Sequence, residues 1–111
     1  SVIRSLLTQT QTQRSANAGD AIFEFVSNDF GTILSMDLLS GYVGIGTNAP
    51  STTLHVNGPV RVGSYTVATV PSAISAGEGA MIYVTNEIGG PVMVFSDGAN
   101  WRRMTDRAVV G

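Results

Sequence analysis

The sequence predicts an all-β chain, built of short strands in an interwound or meander arrangement and packed against copies of itself. Three observations predict it. Short apolar and β-branched runs alternate with turn residues along most of the chain. No segment keeps apolar residues at helical spacing over three turns. Charged residues make up 13% and apolar residues 43%, against roughly 25% charged in an ordinary globular domain, so part of the surface is expected to lie against other subunits.

The elements follow in chain order. TQTQTQ at 8–13 has a polar period of two and predicts a strand lying on a neighbour, RSANAGD at 14–20 reads as a linker, and 2–7 is an alternative start for a short helix. Residues 1–20 are therefore expected to be an extended N-terminal arm or anchor. Residues 21–63 are expected to form a β-rich, shaft-like segment. Within it, AIFEFV at 21–26 reads as a strand with Phe23 and Phe25 on one face. TILSMDLL at 32–39 reads as a strand or one helical turn, and Gly31 and Gly41 favour the strand. A short strand at 52–56 closes at Asn57-Gly58-Pro59, and VRV follows at 60–62. Residues 64–111 are expected to form a C-terminal β-meander. SYTVATV at 64–70 is rich in β-branched residues and stops at Pro71; SAISAGEG at 72–79 reads as a small-residue loop. Strands at 80–84, 92–95 and 101–105 alternate with turns at 86–91 and 96–100, where Gly98 suits positive φ.

Composition excludes several classes. Net charge is −2, lysine is absent, and all six cations are arginines, so no basic stripe exists for a nucleic-acid backbone. Without cysteine there are no disulfides or thiolate metal ligands. No run of about 18 apolar residues is present to span a membrane as a helix, and the apolar part of SVIRSLLTQT is too short for a signal peptide.

VGIGT at 43–47 looks like the opening of a phosphate-binding loop. Such a loop works because a helix begins directly after it. Here Pro50 follows instead, the nearest later acid is Glu78, and no Gly-Lys-Ser/Thr occurs. No cofactor is expected. Val43 and Ile45 point one way and Gly44 and Gly46 the other, and a strand with one bare face lets another backbone come close.

Two strings then carry a resemblance. GYVGIGTNAPSTTLHVNGPVRVG at 41–63 resembles a segment that recurs in bacteriophage tail fibres and related virion proteins. GAMIYVTNEIGGPVMVFSDGANWRRMTD at 79–106 resembles a second phage-associated module. Neither string is a catalytic signature. The resemblance implies a trimeric, β-rich virion protein, a tail fibre protein with possible host-surface attachment; the alternative is a capsid-decorating or head-fibre protein. Its expected location is the virion. Its expected partners are itself, other virion proteins through the N-terminal arm, and a host surface glycan or protein, with no nucleic acid and no membrane insertion.

The chemistry-bearing residues do not suggest an enzyme. His55 is the one histidine, so any Ser-His-Asp arrangement must use it. A lone histidine also lacks the second ligand of a metal motif, and no metal is expected. The eight acids are Asp20, Glu24, Asp29, Asp37, Glu78, Glu87, Asp97 and Asp106, and no pair stands out as a glycosidase dyad. Turn loops held by rigid strands are where receptor contacts sit, which makes Asn86, Gly89, Asp97 and Asn100 candidates. Trp101 could stack on a sugar and Arg103 could fork hydrogen bonds to it; packing and ion pairing are the competing reading. For trimer packing the candidates are Val43, Gly44, Ile45, Gly46, Met81, Tyr83, Val92, Val94 and Phe95, because both faces of the meander are apolar.

Overall fold

The computed structural model describes residues 22–111, and these fall into two compact units that divide after Val60. The expected arm, its TQTQTQ strand and its linker lie outside the described residues. Each unit holds one four-stranded sheet of mixed parallel and antiparallel pairing. The mainly β prediction therefore holds.

The first sheet runs in order β1 (Ile22–Ser27), β2 (Gly31–Asp37), β3 (Tyr42–Ile45) and β4 (Leu54–Val56). Within the segment at 32–39, residues 32–37 are thus strand and not a helical turn, and Leu38 and Leu39 lie in the turn that follows. Two tight turns set the hairpins. Ser27 Oγ accepts the Asp29 and Phe30 amides at 3.1 and 3.4 Å, and Asp37 Oδ1 accepts those of Leu39 and Ser40 at 3.0 and 3.3 Å. These are the side-chain-to-backbone bonds that favour Ser and Asp in turns. Phe25 faces Leu34 while Val26 faces Thr32, so Ile33 is the extra residue of a bulge. β4 runs parallel to β3. The chain therefore enters this sheet at the Ile22 end and leaves it at the opposite end, past Val56.

Register sorts the side chains. Phe23, Met36, Val43 and Leu54 form one cross-strand row, and Phe25, Leu34, Ile45 and Val56 form another on the same face. The row between them, on the other face, is Glu24, Ser35, Gly44 and His55. One face is wholly apolar, yet none of its eight side chains is buried; Ile45 and Leu54 are 40% and 59% exposed.

The second sheet runs β5 (Ser64–Tyr65), β6 (Met81–Val84), β7 (Val92–Ser96) and β8 (Trp101–Arg103). The predicted strand at 64–70 shrinks to two residues. Thr66 and Thr69 bond each other at 2.9 Å, the Thr66 amide bonds Thr69 Oγ1 at 2.9 Å, and the chain winds into a 3₁₀ turn at Val67–Thr69. Local hydroxyl bonding here overrides β propensity. The predicted loop at 72–79 contains one helical turn, α1 (Ala73–Ala76), capped by Ser72, whose Oγ accepts the Ser75 amide at 3.1 Å. The predicted strand at 101–105 stops at Arg103, where residues 104–106 turn.

This second unit has a core. Ala73, Ile82, Val84, Val94 and Trp101 are buried together, with Tyr65, Val67, Val70 and Val92 packed against them. The segment 65–76 supplies the covering layer. It is tied down by Trp101 Nε1 donating to the Pro71 carbonyl at 2.7 Å and by the fully buried Ser96 Oγ donating to that of Ala73 at 2.7 Å.

Candidate functional site

The residues singled out for receptor contact divide into three places. Asn86 and Gly89 lie on the β6–β7 loop and Arg103 ends β8 beside them, its Nη1 donating to the Ile88 carbonyl at 3.0 Å. Asp97 and Asn100 lie on the β7–β8 loop, at the other end of β7, a separation of about 17 Å along a five-residue strand. Trp101 is in neither loop surface. It is 5% exposed and belongs to the core. The indole therefore offers no plate for a sugar, and the Trp101–Arg103 pair shares the covered face of the sheet.

Most of the remaining polar groups are already engaged. Asn86 Oδ1 accepts the Val67 amide at 2.8 Å, joining the β6–β7 loop to the 3₁₀ turn. Gly89 adopts φ +92, a conformation that β-carbon-bearing residues avoid. Asp97 Oδ1 accepts the Ala99 and Asn100 amides at 2.8 and 2.7 Å, while its Oδ2 takes the Arg102 Nε–H. The Arg102 bond first, and then the two amides, hold the Asp97 carboxyl far below the usual carboxylate range. Asp106 is also lowered, first by the Ala108 amide and then by the Arg103 charge. Asn100 is exposed.

The candidate packing residues divide as well. Val43 and Ile45 stand on the apolar face of the first sheet. Gly44 is buried, and a Cβ there would meet Thr47 O at 2.5 Å and Ser35 Oγ at 2.7 Å, the two groups that bond each other at 2.8 Å. Its bare side thus admits the chain's own crossover loop. Gly46 turns the chain at φ +74. In the meander, Val94 is fully buried, and Val92 packs against the same core. Both face inward, where segment 65–76 of the same chain covers them, so the reading of these two as trimer-packing residues gives way to packing within one chain. Met81, Tyr83 and Phe95 share the outer face with Met93 and Arg102, and Met81 is 52% exposed.

His55 projects from the polar face of the first sheet, where Nδ1 accepts the Ser51 amide at 3.2 Å. In the neutral ring that bond places the proton on Nε2. Among the described residues no three of His, Asp and Glu gather as a metal site. The sequence reading gave Glu87 no role. It is 4% exposed, with Arg103 Nη1 at 3.8 Å. A carboxylate flanked by Asn86 and Ile88 in a turn carries no local sign of burial.

A scan against protein-family models finds no match, and neither do searches of curated proteins and of solved structures.

Proposed function

We propose that this chain is a non-enzymatic structural component of a bacteriophage virion, a homotrimeric tail fibre protein. The observation that carries the reading is the face of the first sheet built from Phe23, Phe25, Leu34, Met36, Val43, Ile45, Leu54 and Val56, none of them buried. An antiparallel-rich sheet covers one face to be stable in water. Each such side chain moved out of water contributes about 1.5–3 kcal/mol when fully buried. Three copies packing these faces around a common axis supply a layer that the described residues do not. The chain's passage from one end of the sheet to the other suits a shaft, because successive segments can follow one another along its length. The hairpin ends carry exposed Phe30 and, at the opposite end, Leu38 and Leu39, apolar surface where further segments of a projection would abut.

The loops Asn86–Gly90 and Asp97–Asn100 then project from the two ends of the second sheet. Asn100 is the residue of this set best placed to meet a host surface.

Sedimentation equilibrium of the purified chain tests the assembly. A mass about three times 11.6 kDa is expected; a well-folded monomer at micromolar concentration overturns it. Gold-labelled antibody on intact particles tests the location. Label on the tail is expected, and label on the shell would favour a capsid-decorating protein.

A further inference from the structure

One end of the second sheet carries a cluster of charged side chains that bond one another and the returning chain. The Glu87 side chain is 1% exposed. Its Oε1 accepts the Ile88 amide at 3.1 Å and the Gly111 amide at 3.2 Å, and its Oε2 lies 3.8 Å from Arg103 Nη1. Arg103 in turn donates through Nε to Asp106 Oδ1 at 3.0 Å. Beyond β8 the chain reverses. The Arg107 amide bonds the Arg103 carbonyl at 2.7 Å, the Arg103 amide bonds that of Ala108 at 2.8 Å, and the Val110 amide bonds that of Trp101 at 2.9 Å. Val109 bridges to Arg102. This returning segment occupies the outer edge of β8.

An open edge is a template for pairing with another chain, and proteins often guard it with lysine; this chain has none. The returning segment makes few ladder bonds, so by itself it is a weak guard. The Gly111–Glu87 bond adds a charge-assisted tie. A buried carboxyl also needs partners, and the returning segment contributes one of them. Docking the segment and satisfying Glu87 are therefore one event.

We propose that residues 108–111 are an edge strap, clamped by Glu87, that keeps β8 from adding a strand of another copy of this chain. The proposal stands apart from the virion reading and from the apolar face of the first sheet on which that reading rests. Amide hydrogen exchange of the full chain, read by NMR, tests it. In Glu87→Ala, the Val110 and Arg103 amides should exchange about tenfold or more faster, while those of Tyr83 and Ser96 stay unchanged. Sedimentation should show concentration-dependent association beyond the wild-type mass. Val110→Pro deletes one strap bond and leaves Glu87 in place, so it carries the same expectation at Arg103 and for association should Glu87→Ala fail to fold. Unchanged exchange at Arg103 in the folded variants overturns the clamp. Faster exchange without added association overturns the guarding role.

Discussion

The two sheets of this chain have the same number of strands and the same mixture of pairing, and both carry apolar side chains in cross-strand rows. They differ in what lies over those rows. In the second unit, residues 65–76 fold back across Ile82, Val84 and Val94, and the indole of Trp101 is fixed by a bond to Pro71. In the first unit the covered positions are Ser35 and Gly44 on the polar side, where the crossover loop packs, and the apolar side has no buried member. A sheet closes its own core when the chain spends a dozen residues on a lid. In the first unit no described residue buries the apolar rows. The second sheet, by contrast, covers its inner rows with its own chain and leaves Met81, Tyr83, Met93 and Phe95 unburied on its outer face.

Four substitutions break or sharpen that contrast. The largest effect is expected from Leu34→Arg, which sets an unpaired guanidinium on the apolar face of the first sheet. In an assembled interface a buried unpaired charge costs several kcal/mol, so sedimentation should show the assembly reduced to single chains. Near-ultraviolet circular dichroism of Trp101, which reports the second unit, should persist; its loss would mean that the two units depend on each other for folding. Next comes Trp101→Ala, expected to cost about 3–5 kcal/mol in denaturant unfolding of the second unit and to leave the Pro71 carbonyl without its donor. A change under 1 kcal/mol would deny that this unit has its own core. Gly44→Ala is smaller, about 1–3 kcal/mol, because the new methyl must displace the Ser35–Thr47 bond; a neutral result would show that the crossover loop yields freely.

The smallest effect concerns Asp97. Its folded-state carboxyl titrates far below the usual range, so its ionised form favours the fold. That contribution is complete above the unfolded carboxyl value of about 3.9 and is lost as pH falls toward the folded value. The melting temperatures of wild type and Asp97→Asn should therefore differ by a constant amount between about pH 5 and 7 and converge below about pH 4. A gap that persisted in acid would show that the variant acts through turn geometry instead of charge.

Much of the fold was legible because strand signals are local. Alternation at 21–26, 80–84 and 92–95 and turn residues at 57–58 and 96–100 marked elements that the structure contains, within a residue or two. Errors arose where a local bond competes with propensity. Thr66 and Thr69 satisfied each other and bent a β-branched run into a 3₁₀ turn, and Ser72 capped a helical turn inside a stretch read as loop. The candidate site was less legible. Alternation along β8 puts Trp101 and Arg103 on one face, but which face is covered does not follow from alternation. Glu87 was invisible because its burial depends on Arg103 and Gly111, far along the chain.

By itself the sequence determined where strands and turns lie, that the chain is sparsely charged, and that its strands present apolar residues in alternating rows, since period-two patterning and turn chemistry act over neighbouring residues. The tertiary structure decided which rows are covered, that the tryptophan is interior, that Gly44 makes room for its own chain, and that a buried carboxyl ties down the returning end. Those outcomes depend on contacts between residues distant in sequence, and only the folded path of the backbone brings them together.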